Sequence, residues 1–124
     1  MSIAYEDLLY IFEVGEHVDE TAFYFDDAPK EDEHYIGYMP RFDGKINDKP
    51  YWIGLCDING GCEFETAKEL FEAKVFNGKS IKERWEHIVI FQIGGILPVA
   101  DYIEMYGKEI LRNKNNPDRN TMEQ

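Results

Sequence analysis

Three stretches, TAFYFDD (Thr21 to Asp27), HYIGYM (His34 to Met39) and YWIGLCD (Tyr51 to Asp57), constrain this chain more than anything else in it. Each is short, rich in aromatic and β-branched side chains, and fenced by Pro, Gly, Asp or Asn. Such segments pair as strands, and the turn-forming residues between them send the chain back on itself. The segment PRFDGKINDKP reads as a surface loop that turns at Asp43-Gly44 and Asn47-Asp48.

Helical spacing brackets these strands. Tyr5, Leu8, Leu9 and Phe12 recur at i, i+3, i+4 and i+7, with Gly15 as the stop. Thr66 with Glu69, and Ser80 with Glu83, have the S/T-x-x-E spacing in which hydroxyl and carboxylate satisfy the first backbone N–H groups of a helix. Two short helices are expected there, the second carrying Ile81, Trp85 and Ile88 on one face. HIVIFQI (His87 to Ile93) reads as a nearly continuous apolar strand, central in the sheet and closed by Gly94-Gly95, and Pro98 precedes a last helix. The order predicts an α+β fold, a mainly antiparallel sheet with helices packed on one face. The expected domain covers residues 1–112. Residues 113–124, with Pro117 and a single large apolar residue, Met122, read as a polar tail too poor in apolar area to fold.

The stretch GLCDINGGCEFET places Cys56 and Cys62 on either side of Asn59-Gly60. A two-residue turn there aligns Asp57 with Cys62 and Cys56 with Glu63. Tyr51, Ile53 and Leu55 then share the core face with Cys62 and Phe64, while Cys56 lies on the opposite face. A five-residue loop would oppose the two cysteines but would set Glu63 against the apolar face. The C-x5-C spacing also lacks the further ligands of a zinc site, so no metal and no redox pair is expected. DINGG resembles part of a calcium loop, yet Lys68 stands where the terminal Glu is required.

Charge supplies the functional signal. The formal charge of −12 is unevenly spread: residues 1–35 hold 11 of the 25 acids against one base, Lys30, a net of −10. Such an end repels nucleic acid and anionic lipid and attracts a basic protein at long range. No run of about 18 apolar residues and no basic, apolar leader is present, so a cytoplasmic location is expected, without direct nucleic-acid or membrane binding.

Catalytic chemistry finds little support in the sequence. Of the two serines, Ser2 and Ser80, the second is explained as a helix cap, and no Gly-rich phosphate loop is present, so no cofactor and no catalytic residue is expected. His17 and His34 lie near carboxylates in the sequence and read as solvated surface groups, with a small His/carboxylate enzyme as the alternative. His87 reads as half-buried and hydrogen-bonded. The expected partner-binding set is Asp19, Glu20, Asp26, Asp27, Glu31, Asp32 and Glu33 for charge, with Tyr24, Tyr35 and Tyr38 as aromatic anchors.

Small size, strong acidity, this α+β element order and the absence of catalytic motifs give the chain a loose resemblance to the small acidic bacterial immunity proteins of polymorphic and contact-dependent toxin systems; EFETAKELFEAKVFNGKSIKERW and IGGI have the look of a family motif but match no signature of that group. The resemblance implies an inhibitor that covers a basic toxin such as a nuclease, with carboxylates in the place of phosphates. Phage inhibitors that mimic DNA share the same acidity.

Overall fold

The computed structural model describes residues 3–29 and 31–114. Helix α1 (Tyr5–Val14) leads into β1 (Thr21–Phe25) and β2 (His34–Tyr38). A small exposed hairpin follows, β3 (Arg41–Phe42) with β4 (Lys45–Ile46), then β5 (Tyr51–Gly54), β6 (Cys62–Phe64) and α2 (Ala67–Glu72). Strand β7 (Ile88–Gln92) and the helices α3 (Val99–Tyr102) and α4 (Lys108–Lys114), joined by one wide π-type turn, complete the chain. The sheet is antiparallel throughout, in the order β6-β5-β2-β1-β7. The expected α+β fold is what forms.

The sheet's inner face carries Phe23, Phe25, Ile36, Tyr51 and Ile53, buried against Leu8, Ile11 and Phe12 of α1 and Leu70 and Phe71 of α2. Tyr51 passes its hydroxyl to the Phe12 carbonyl at 2.8 Å. Burial, then the neighbouring Tyr38 and Glu13, push that phenol up to about 12. Tyr102 donates its hydroxyl to the Glu16 carbonyl at 2.9 Å and so fastens α3 to the α1–β1 connection. Lys114 meets Asp7 at 2.9 Å, so positions 113 and 114, read from sequence as the start of the tail, are the last turn of α4. Residues 115–124 lie outside the described residues.

Five expectations are corrected by the architecture. The loop after Met39 contains a hairpin, because Asp43 and Gly44 both take the positive φ (53° and 76°) that a tight two-residue turn requires. At Ser80 the capping box closes in both directions, Ser80 N–H to Glu83 and Glu83 N–H to Ser80 Oγ, each at 3.0 Å. Only a turn and the 3-10 segment Trp85–His87 follow. The box fixes the first turn, where Arg84 N–H reaches the Ser80 carbonyl at 3.0 Å, but the bonds after it are the tighter i to i+3 type, Trp85 N–H to Lys82 at 3.4 Å and His87 N–H to Arg84 at 2.9 Å.

Strand β7 is an edge strand, not a central one. An apolar run records that both faces are partly covered, and it carries no information about which strand lies beside it. His87, expected half-buried, is exposed on the turn before β7, with Nδ1 3.0 Å from Asp26 Oδ1.

The cysteine hairpin also departs from the expected register. Ile53 pairs with Cys62, Trp52 with Glu63 and Tyr51 with Phe64, so the strands stop at Gly54 and resume at Cys62. The slip is an even number of residues, which keeps Tyr51 and Ile53 on the same face as Cys62 and Phe64. Leu55 leaves the core, 62% exposed, with a left-handed φ of 57°. The loop is drawn aside by Asp57, whose N–H binds the Val75 carbonyl at 2.8 Å and whose carboxylate accepts from Gly78 N–H at 3.2 Å. Leaving the strand this way returns Cys56 to the neighbourhood of Cys62. Burial, and next the charge and hydrogen bond of Cys56, raise the Cys62 thiol above its ordinary value. The two cysteines are free thiols, as expected, but are not on opposite faces.

Candidate functional site: an acidic cleft at the end of the sheet

At the end of the inner sheet face, where β1 finishes and β2 begins, a cleft of about 750 Å³ opens. Its rim holds Asp27, Glu31, Asp32, Glu33 and Asp57, against Lys79 and Arg84. Its floor is apolar and aromatic. The His34 ring lies 5.2 Å from that of Phe25 and 5.0 Å from that of Phe76, and Leu55 forms one lip.

The sequence builds this site through the β1–β2 connection. Phe25 ends β1 on the core face, and the acid-rich residues that follow have no apolar side chain large enough to pull them inward, so they stay at the rim. His34 starts β2 on the same face as Phe23 and Ile36, and its Nδ1 is hydrogen-bonded to the Leu55 carbonyl. That bond ties the left-handed Leu55 to the cleft wall.

One ion pair inside the cleft indicates the chemistry the rest can offer. Arg84 places both guanidinium nitrogens on the Asp27 carboxylate, Nη1 at 2.8 Å, and its guanidinium carbon lies 4.6 Å from the centre of the Phe25 ring. The hydrogen bonds from Arg84 hold the Asp27 carboxyl below its free value. A guanidinium between a carboxylate and an aromatic face is a stable arrangement, combining two-pronged hydrogen bonds with cation–π attraction.

Of the expected binding residues, the fold gathers Asp27, Glu31, Asp32 and Glu33 at this cleft. Glu20 and Tyr35 line a second groove of about 730 Å³ on the outer sheet face, together with Trp52, Ile58 and Gln92. Tyr35 donates to Glu33 at 2.9 Å, which links the two regions. Tyr24 lies on the outer face near Phe91. Asp26 turns to His87, while Asp19 and Tyr38 serve the fold: Asp19 Oδ1 accepts from Tyr38 N–H and Trp52 Nε1, and Tyr38 packs 4.7 Å from Tyr51.

Leu55 and Cys56 line both depressions, so the β5–β6 loop stands as a ridge between them with Leu55 and Ile58 exposed on it. The sequence reading assigned Leu55 to the core and gave Ile58 no role. A left-handed, solvent-exposed leucine has no signature in a single sequence.

Asp26, Asp27 and His87 bring ligand-type atoms within 4.8 Å of one another. Both oxygens of Asp27 are already engaged by Arg84, and Asp26 is within hydrogen-bond distance of His87, so the trio is a hydrogen-bonded cluster that joins the end of β1 to the turn before β7. His17 stacks on Tyr106 at 4.0 Å, and neither it nor His34 forms the His/carboxylate pair of the enzymatic alternative among the described contacts. Among the described residues no helix is long and apolar enough to cross a membrane. Comparison with protein-family models, with curated proteins and with solved structures found no match.

Proposed function

We propose that this chain is an acidic binding protein that neutralises a basic protein, in the manner of an immunity protein that covers a nuclease toxin, and that the cleft between β1, β2 and the Leu55 ridge is where the partner docks. The observation that carries the reading is the convergence of Asp27, Glu31, Asp32 and Glu33 on one rim around an aromatic floor. With Asp27 held by Arg84, arginine and lysine side chains of a nucleic-acid-binding groove would meet Glu31, Asp32 and Glu33 here in place of phosphates, and Leu55 would supply an apolar anchor beside them. Glu31 and Asp32 are exposed, so they act first on the approach of the partner, through the field rather than through contact.

The test is binding kinetics against a panel of purified basic nucleases, run at low and high salt. A cognate pair should associate more slowly as salt rises, since charges more than about 10 Å apart are largely screened at 0.1 M. The E31Q/D32N variant should lose about tenfold in association rate with its melting temperature unchanged. Association that ignores both salt and these two charges would refute the acidic cleft as the docking site.

A further inference from the structure

The two edges of the sheet are built on opposite principles. β6 is three residues long, with Glu63 exposed at its centre and Glu65 just beyond it. A short, charged edge cannot easily recruit another strand, and that is how soluble proteins protect such edges. β7 has none of this protection. Its sequence, Ile-Val-Ile-Phe-Gln, contains no charge and no proline, and all five residues are only half-buried.

Strand pairing accounts for one side of β7 alone. It pairs with β1, and although the Ile88 N–H closes the preceding 3-10 turn on the Trp85 carbonyl, among the described residues the backbone bonds that link other parts of the fold involve no N–H or carbonyl of Val89–Gln92. Beside it runs a groove of about 770 Å³ lined by Ile3, Ala4, Trp85, Val99 and the strand's own aliphatic residues, with Glu86 the one charged group among the described residues that line it. The apolar surface therefore extends from the strand onto its flank.

We propose that β7 is a self-association edge: two copies pair β7 with β7, antiparallel, about a twofold axis at Ile90. An antiparallel pair of identical strands is self-complementary, so Ile90 meets Ile90 of the second copy, Val89 meets Phe91 and Ile88 meets Gln92. The sheets of the two copies become one. Charge selects the occupant. Two chains of formal charge −12 repel each other, and like charges facing across strands destabilise pairing. A strand without carboxylates is where two such chains can meet without opposing them. A strand from a basic partner would gain nothing from this edge, because its lysines and arginines would be set against aliphatic side chains. The inference does not depend on the function proposed for the cleft.

The experiment is sedimentation equilibrium of the full chain over a dilution series, together with hydrogen exchange of the β7 amides. The expected mass is twice the 14.5 kDa of one chain, falling toward it on dilution, with protection of Ile88–Gln92 rising with concentration. The V89K/F91K variant sets lysines against each other across the twofold axis and should sediment at 14.5 kDa, whereas Glu63→Lys at the other edge should leave the dimer intact. A wild-type mass of 14.5 kDa at every concentration would overturn the proposal. So would β7 protection that is independent of concentration, or a dimer that persists in a folded V89K/F91K variant.

Discussion

Trp52 donates its indole N–H to Asp19 Oδ1 at 2.7 Å, and the same oxygen accepts the backbone N–H of Tyr38 at 3.1 Å. Gly37 lies beneath this bond, where any Cβ would collide with the Trp52 ring and with Asp19 itself. Asp19 is thus a clamp from the α1–β1 connection onto the outer face of β2 and β5, although its charge alone would class it with the carboxylates at the cleft rim.

Removing the clamp should destabilise the fold. Asp19→Ala leaves two donors without their acceptor and should cost about 1–3 kcal/mol. Gly37→Ala should cost about the same through overpacking. Chemical denaturation of both variants measures this, and a folded Asp19→Ala should keep the association rate that E31Q/D32N loses. An Asp19→Ala protein as stable as the wild type would show that the bond to Trp52 contributes nothing.

The slipped hairpin makes a prediction about thiol reactivity. Both cysteines should react with a disulfide reagent in the unfolded chain. In the native protein Cys62 should react more slowly, because burial and the adjacent Cys56 raise its thiol pKa and reduce the thiolate available for attack. Cys56→Ser should abolish the faster phase. Two equal rates in the native state would contradict the placement of Cys62 at the start of β6 on the core face.

Acid should loosen the segment between β1 and β7. Asp27 is held below its free value of 3.8 chiefly by hydrogen bonds from Arg84, and Glu83 below 4.5 chiefly by the Ser80 N–H. Both favour the charged form in the fold, so the unfolded chain binds protons first as pH falls. Their contribution is complete above about pH 4.5 and is lost progressively below it, as pH drops through the folded values. Melting curves between pH 6 and 3 should show this decline, shallower in the Asp27→Asn, Glu83→Gln double variant. An identical slope in that variant would assign the acid sensitivity to other groups.

Periodicity and caps, both local properties, determined most of the element list. The i, i+3, i+4, i+7 spacing from Tyr5 to Phe12 gave α1, and Thr66 with Glu69 closed the box that starts α2. Aromatic and β-branched composition between turn residues gave β1, β2 and β5, and in the cysteine hairpin parity kept Ile53 and Cys62 on the core face even when the register slipped. The concentration of acid in residues 1–35 was also plain from the chain alone. Tertiary contacts decided the rest. Asp57 binding Val75 opened the Asn59-Gly60 turn into a loop, because hydrogen bonds to a distant segment outweighed a local turn preference. Strand order put β7 at an edge, since pairing partners are chosen by the packing of the whole sheet and leave no mark on a single strand. The same packing divided the carboxylates: those past the end of β1 gather at a cleft, while Asp19, chemically their equal, folds back onto the outer sheet face because Trp52 and Tyr38 offer donors there. Composition fixes how much charge a chain carries, and only the fold decides which of it faces a partner.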